Sequence, residues 1–315
     1  MRVGVIGLGV MGRNHARVLQ GMPNVDELEL FDPLGDELGV VQGVKVQSSL
    51  DRFLDKHLDY CVVSSPTVTH LEIGLALADR RIPTLIEKPL ARTSEEGEML
   101  LDAFSAAGVV AGVGHVERFN PAIMQLRDKV EAGLLGELFH ISTRRVGPYS
   151  GRIRDVGVAM DLATHDIDLA RCISGSTYKT LNSRTLKPNG NKHEDLLVAI
   201  GTMGNGVLVS HLVNWVSPIK ERVTTVLGSK GMFVADTLNA DLFHFELGSH
   251  PTNWDGLSIF KGTSEGPIHK FELKKNEPLF NEHQAFQDAL SSIQLQGVAS
   301  LLDGLEVLRV AEKIL

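Results

Sequence analysis

Along the first third of the chain, short apolar runs alternate with longer segments of helical period. The runs are Arg2 to Ile6, Glu27 to Phe31, Asp59 to Val63, Pro83 to Ile86 and Val109 to Gly114. Between them, Met11 to Gln20, Thr69 to Asp79 and Ser94 to Ala106 repeat at a helical period, and Ser94, followed by Glu95 and Glu96, is placed to cap the last of these. Strands alternating with helices in this way predict a parallel sheet with crossover helices. After Asn120-Pro121 the texture changes. A helix through Glu131 leads into longer strand-like runs at Leu138 to Val146, Leu196 to Thr202, Val207 to Trp215 and Glu221 to Leu227. Gly204-Asn205-Gly206 separates two of them as a hairpin turn, because Asn and Gly tolerate the positive φ angles of a tight reversal. One helix, Met160 to Ile173, interrupts this half, two more close the chain at Glu282 to Ile293 and Ala299 to Ile314, and Gly248 to Pro267 reads as a loop. The pattern predicts an α/β protein with a doubly wound domain over residues 1–118 and a second α/β domain with antiparallel pairing over 119–315.

A chain of 315 residues is long enough for two cores. Its 31 basic and 39 acidic residues leave a net charge of −8, which speaks against nucleic acid or an anionic membrane surface as a partner and for a small molecule. Cys61 and Cys172 are too few for a disulfide framework or a thiolate zinc site, and the expected location is a reducing cytoplasm. No apolar run is long enough for a membrane span, and the glycines of the first apolar stretch do not suit a signal peptide.

The segment Gly7-Leu8-Gly9-Val10-Met11-Gly12 follows the first strand and opens the first helix. In that place Gly7 permits a tight turn, Gly9 lets a pyrophosphate approach the backbone, and Gly12 lets the helix pack against the sheet. A glycine-rich loop without a ligand is the plainer reading. Asp32 weighs against it, since it ends the second strand 20 residues after Gly12, where a carboxylate accepts hydrogen bonds from a ribose. The same carboxylate repels a 2′-phosphate, so NAD is expected over NADP. Glu87-Lys88-Pro89 follows the fourth strand and puts Lys88 at the sheet edge where ligands bind. There it could stabilise a developing alkoxide, or simply pair with Glu87 at the surface. Asp161 and His165 share a helix face by their spacing of four; a proton acceptor with an orienting carboxylate, a solvated face and a metal site all remain open, the last lacking an evident third ligand. Arg144, Arg145, Arg152 and Arg154 form a local positive excess, fit either to receive phosphate or to make ordinary surface ion pairs.

Taken together these residues resemble the Gfo/Idh/MocA family of oxidoreductases. The resemblance runs end to end, through the glycine fingerprint, Ser64-Ser65-Pro66 with His70, Glu87-Lys88-Pro89 and Asp161-x-x-x-His165. It implies a Rossmann domain followed by an α/β domain with a large open, mainly antiparallel sheet, assembled as a homodimer or homotetramer. It also implies that Lys88, Asp161 and His165 are catalytic, that Ser64, Ser65, Pro66, His70 and Glu87 line the NAD site with the glycine loop, and that the Lys88-Pro89 bond is cis. Within the family, Gly114 to Pro121, with Arg118 and Asn120, and Arg144 to Pro148 with Arg152 to Gly157 look like the branch acting on UDP-N-acetylglucosamine or its uronic acid at C3. On that resemblance Arg118, Asn120, Arg144, Arg145, Arg152 and Arg154 would bind a nucleotide sugar. Only Gly157 remains of the glycine cluster that commonly precedes the catalytic aspartate. A dehydrogenase of inositol or a free sugar is the alternative, and a non-catalytic NAD sensor is a third reading that the complete Lys88, Asp161 and His165 set disfavours.

Overall fold

The computed structural model describes residues 1–35, 41, 43–149, 151, 156–248, 266–292, 295 and 297–315. The chain divides into two units, residues 1–119 with 276–313 and residues 120–275 with 314–315. The first begins with β1 (Arg2–Ile6), α1 (Val10–Gln20), β2 (Glu27–Phe31), β3 (Val46–Gln47), α2 (Leu50–Leu54) and β4 (Tyr60–Val63). It continues through α3 (His70–Asp79), β5 (Thr84–Glu87), α4 (Ser94–Ala107) and β6 (Ala111–Gly114). These six strands are parallel and lie in the order β3-β2-β1-β4-β5-β6. Val3, Val5, Val62, Val63, Leu85 and Ile86 are fully buried, as strands covered on both faces require. The strand order reverses between β1 and β4, which opens a ligand crevice beyond their carboxyl ends. The cap of α4 is Thr93, whose Oγ1 accepts the Glu96 N–H at 3.3 Å, so the expected cap at Ser94 is corrected by one residue.

The second unit holds α5 (Pro121–Glu131), β7 (Leu138–Pro148), a π-helical turn over Ala159–Ala163 and α6 (Thr164–Ser174). Seven strands follow, β8 (Tyr178–Leu186), β9 (Leu196–Met203), β10 (Leu208–Asn214), β11 (Val216–Gly228), β12 (Gly231–Asp236), β13 (Asp241–Glu246) and β14 (Ile268–Phe271). The sheet runs β14-β13-β12-β11-β7-β10-β9-β8 and is antiparallel throughout except where β10 pairs with β7. The expected hairpin joins β9 to β10, with Gly206 at φ +91° and the Met203 N–H donating to Val207 O at 2.8 Å. On one face, Ile141, Val209, Val226 and Phe233 form a core with Ala122, Ile123 and Leu126 of α5 and Leu169, Ala170 and Ile173 of α6. Alternation along β9 sends Val198 and Ile200 to the other face, where they are exposed. Most of the expected loop from Gly248 to Pro267 lies outside the described residues.

The chain closes with α7 (Pro278–Ser292), β15 (Ala299–Ser300) and α8 (Leu301–Lys313), and these correct the expected assignment of everything after residue 118 to the second domain. Leu279 and Phe286 of α7 and Val298 join one core cluster with Val3, Val5, Tyr60, Val62 and Leu85. β15 pairs antiparallel with β6 and extends the first sheet. Hydrophobic burial therefore returns residues 276–313 to the first unit.

Candidate functional site

The carboxyl ends of β1, β2, β4 and β5 bring most of the expected residues of the first unit to one edge of its sheet. Each glycine of the loop has a separate reason. Gly7 has φ +87°, and a Cβ there would lie 2.5 Å from the Ser65 amide nitrogen. At Gly12 a Cβ would lie 1.8 Å from the Gly7 carbonyl oxygen, so only glycine lets α1 approach the turn. Gly9 differs, because a Cβ there would meet nothing within 4 Å. The N-terminus of α1 has no side-chain cap, so its first N–H groups and the open space at Gly9 together fit the pyrophosphate of a dinucleotide. Val10 and Met11 form the first turn, with Val10 exposed. Ser64 Oγ donates to Gly7 O at 2.9 Å and Ile6 O at 3.1 Å, which ties β4 to the loop. Asp32 lies at the end of β2 as expected. Its Oδ2 accepts the Leu8 N–H at 2.7 Å and its Oδ1 the Leu34 N–H at 2.9 Å. An ionised carboxylate has about four acceptor positions, so Asp32 can orient the glycine loop and still receive ribose hydroxyls.

Ser65 Oγ donates to Thr69 Oγ1 at 2.7 Å, since the Thr69 hydroxyl hydrogen goes to Pro66 O at 2.8 Å. His70 is buried, with Nε2 3.0 Å from Ser65 O and Nδ1 3.1 Å from Pro89 O. It is a strut between the Ser65-Pro66 turn and the Lys88-Pro89 turn, and burial pushes its pKa down despite those carbonyls. The Lys88-Pro89 bond is cis, as the sequence implied. Lys88 itself is half-buried. Glu87 is buried and faces inward, its Oε1 2.9 Å from His15 Nε2 and its Oε2 accepting the Lys88 N–H at 3.0 Å. Burial alone would raise the Glu87 carboxyl, but the His15 hydrogen bond and the charge of Lys88 outweigh it and hold the group below the usual carboxylate range. Glu87 supports Lys88 from inside, so the surface ion pair considered from sequence does not describe it.

In the second unit the segment with Asp161 and His165 is not uniformly α-helical. Asp161 lies in the π turn Ala159–Ala163 and His165 in the first turn of α6. Single π turns within helices recur at functional sites. The dense run of ionisable groups separates by burial. Asp166 and Asp168 are buried, whereas Asp161 and His165 are half-buried. Glu194, which the sequence reading missed, holds the start of this helix, its Oε1 accepting the Ala159 N–H at 3.0 Å and its carbonyl the Val158 N–H at 3.1 Å. A Cβ on Gly157 would lie 2.1 Å from Glu194 Oε1, so the single glycine retained before the aspartate is the one that admits this carboxylate. The lone Gly157 was the available signal. Nothing in the sequence pointed to its partner, 37 residues further on.

The expected substrate receptors divide. Arg145 is 4% exposed and its Nε lies 3.1 Å from both carboxylate oxygens of Asp166, which corrects its reading as a surface phosphate receptor: it anchors α6 from beneath. Arg118 is buried, 3.5 Å from Asp303, and Asn120 caps α5 through the Ala122 N–H while its Nδ2 donates to Thr237 O at 2.9 Å. Both are occupied by the fold. Arg144 is exposed and paired with Glu221. Arg152 and Arg154 lie outside the described residues. Among the described residues no cluster of three His, Cys, Asp or Glu is arranged for a metal, and no helix is long and apolar enough to cross a membrane.

Residues 1–115 match the model of an oxidoreductase family with an NAD-binding Rossmann fold, and residues 123–234 match a GFO/IDH/MocA C-terminal domain. The chain is 29% identical over 213 residues to the UDP-N-acetylglucosamine 3-dehydrogenase of Acidithiobacillus ferrooxidans, covering 67% of this chain and 66% of that protein. It is 27% identical over 332 aligned positions to inositol 2-dehydrogenase 2 of Saccharopolyspora erythraea, covering 100% of this chain and 92% of that protein. Among solved structures, the UDP-N-acetylglucosamine 3-dehydrogenase GnnA from Acidithiobacillus ferrooxidans superposes with a TM-score of 0.88 at 25% identity, covering 100% of this chain and 96% of the other. With both family models matched in order, and with the glycine loop, Asp32 and the Glu87-Lys88-Pro89 turn at the switch-point edge of its first sheet, the chain belongs to the Gfo/Idh/MocA family of NAD-binding oxidoreductases.

Proposed function

We propose that this protein oxidises a secondary hydroxyl of a sugar-type substrate, and that the substrate is a nucleotide sugar of the UDP-N-acetylglucosamine type, oxidised at C3. The observation carrying this reading is that a UDP-N-acetylglucosamine 3-dehydrogenase stands among both the sequence relatives and the solved structures, the latter with a TM-score of 0.88 across the whole chain. When bound, NAD supplies the hydride acceptor. Gly7, Gly9, Val10, Met11, Gly12, Asp32, Ser64, Ser65 and Pro66 hold it, while His70 and Glu87 support the turns that frame the site. His165 removes the hydroxyl proton, a general-base task for which the imidazole side chain is chemically suited. Lys88 donates a hydrogen bond to the oxygen as negative charge builds there. Asp161 orients the ring and stabilises the imidazolium.

A second reading, oxidation of inositol or a free polyol, is favoured by the full-length match to an inositol dehydrogenase and by the interior commitments of Arg118, Asn120 and Arg145. Arg144, Arg152 and Arg154 then carry the nucleotide-sugar reading. Inhibition by UDP at low and moderate ionic strength separates the two. UDP competes if a pyrophosphate is bound, and more weakly as salt rises. Turnover of inositol or a free sugar without UDP inhibition overturns the first reading in favour of the second. The exposed apolar side chains on the open sheet face, Ile200 at 63% and Leu208 at 52%, support self-association as a homodimer or homotetramer. An unchanged mass for Ile200→Asp in light scattering would refute that use of the face.

A further inference from the structure

Behind Lys88, inside the first unit, five buried polar side chains form a continuous chain. Glu87 Oε1 lies 2.9 Å from His15 Nε2, and His15 Nδ1 lies 2.9 Å from His283 Nε2. His283 Nδ1 lies 3.3 Å from Tyr60 Oη, which in turn receives the Gln287 amide Nε2 at 3.3 Å. His15, Tyr60 and His283 are fully buried, with Glu87 and Gln287 nearly so. His283 and Gln287 are four apart on the inner face of α7, so the closing segment of the chain supplies one end of a path that terminates at the Lys88 turn.

The hydrogens can be assigned by elimination. An amide nitrogen only donates, so Gln287 donates to Tyr60 Oη, and it also points at the Met22 sulfur 4.0 Å away. Burial raises the Tyr60 hydroxyl pKa and depresses that of His283, which keeps the phenol protonated and the imidazole neutral. With Gln287 already donating to its oxygen, Tyr60 directs its own hydrogen to His283 Nδ1. A neutral His283 then carries its proton on Nε2 and donates to His15 Nδ1, and His15 donates from Nε2 to the ionised Glu87. With the Gln287 amide as oriented, its Nε2 toward Tyr60 Oη and its Oε1 without a hydrogen-bond partner among the described residues, the opposite sense would bring two donors to Tyr60 Oη and leave the phenol hydrogen without an acceptor. A buried polar group without a partner is costly, and that decides the direction.

We infer that His15, His283, Tyr60 and Gln287 are positioning residues for Lys88, acting as a one-directional hydrogen-bond chain that fixes the Glu87 carboxylate between His15 and the Lys88 backbone N–H. This rests on the assignment of Lys88 to catalysis. The carboxylate places a fixed negative charge beside the lysine and holds its main chain through Oε2, so weakening the chain loosens the group that meets the developing alkoxide. The loss should fall on kcat, because the transition state depends on that placement more than ground-state binding does.

Two measurements test this. In the full-length protein without substrate, labelled with 15N in its histidine rings, His15 and His283 should each show a protonated Nε2 and a bare Nδ1 at neutral pH, with signals assigned from His15→Gln and His283→Gln. A proton on His283 Nδ1, or a doubly protonated His15, would overturn the direction of the chain. In turnover, Tyr60→Phe should lower kcat by about fivefold with little change in KM for NAD, as expected for one hydrogen bond of a polarised network, while the buried His283 Nδ1 and Gln287 Nε2 that it leaves without a partner lower Tm by several degrees. His15→Ala should lose about tenfold or more, and His15→Gln, which keeps an N–H donor, should recover part of it. Unchanged kcat in both Tyr60→Phe and His15→Ala would overturn the positioning role. The ring spectra need no substrate, so they decide the chain even if the assigned substrate class is wrong.

Discussion

Gly9 and Gly12 lie three residues apart in one loop, and replacing each with alanine should have opposite consequences. At Gly12 the added carbon would lie 1.8 Å from the Gly7 carbonyl oxygen and 2.7 Å from Ser64 Oγ, neither of which can retreat without moving β1 or β4. Overpacking of this kind costs about 1–3 kcal/mol, and a backbone atom this close puts Gly12→Ala at the upper end. At about 2–4 °C per kcal/mol for domains of this size, the expected loss is roughly 6–12 °C in Tm. At Gly9 the carbon would enter open space, and the backbone there, φ −64° and ψ −165°, is one that alanine adopts without strain. Gly9→Ala should melt close to the wild type. Its effect should appear with cofactor, because the methyl occupies the space through which a pyrophosphate reaches the N–H groups of α1. With NADH at about 100 times its wild-type Kd, binding stabilises by about 2.7 kcal/mol, and a tenfold weaker Kd reduces this to about 1.4 kcal/mol. The assay is thermal melting with and without NADH, paired with a fluorescence titration of NADH. A Gly9→Ala protein that melts early yet binds NADH normally would refute the division of labour, as would a Gly12→Ala protein with unchanged Tm.

The Asp32 carboxylate should favour NAD over NADP, and Asp32→Ser should narrow that preference; wild-type kcat/KM for NADP equal to that for NAD would contradict the assignment. Lys88→Ala and His165→Ala should each lower kcat by roughly 10²-fold or more while NADH still binds, since general acid–base catalysis is of that size, and near wild-type kcat in either would sink the proton path. Arg145→Met should cost about 3–5 kcal/mol in urea denaturation by removing the buried partner of Asp166, with much of it recovered by adding Asp166→Leu; a loss confined to substrate affinity would restore Arg145 to the substrate site. Stability should fall in acid. Burial pushes the His211 pKa down to about 4, against about 6.5 in the unfolded chain, so the unfolded state gains the proton first. This contribution is complete above about pH 6.5 and is lost as pH falls toward 4, amounting to about 2 kcal/mol by pH 5, and His70 and His283 shift in the same direction. Urea midpoints from pH 7.5 to 5 should show the fall, and stability that rises toward pH 5 would refute it.

The parts of this protein legible in the sequence are those whose signal is local. β1 and β2 were read to the residue because their buried side chains are contiguous, and the glycine loop was read because each glycine answers a constraint within a few residues. The last helices were recognised as helices but assigned to the wrong domain, because an apolar stripe on α7 does not say which core it enters; contact with Val3, Tyr60 and Leu85 decides that. β8 was missed because Tyr178–Leu186 is polar on both faces over most of its length. β11 was shortened because its register shifts between Val216 and Glu221, which breaks the alternation. Among the proposed site residues, Asp161, His165 and Lys88 rest on spacing and motif. Glu194 and the His15-to-Gln287 chain have no such signal, since each pairs side chains distant in sequence. Arg145 was misjudged because a charge excess looks the same whether its members face solvent or a buried acid.

One physical arrangement recurs at both positions proposed to react. Lys88 is half-buried and follows Glu87, a buried acid whose two oxygens are held by His15 and a main-chain N–H. His165 is half-buried and precedes Asp166, a buried acid held by both contacts of Arg145 Nε. In each case a side chain proposed to meet substrate adjoins in sequence one that is held by its partners. Burying charged groups this way is not an efficient source of stability, because desolvation consumes most of what the pairing returns. Its effect is geometric: the partners of the buried acid restrict the backbone at the neighbouring residue, so a flexible lysine and a rotatable imidazole start from fixed Cα positions. The same logic accounts for Glu194, which spends a buried carboxylate on the first turn of the helix carrying Asp161, and for the glycine at 157 that makes room for it. Around the groups proposed to carry the chemistry, much of the buried charge holds the backbone on which they stand.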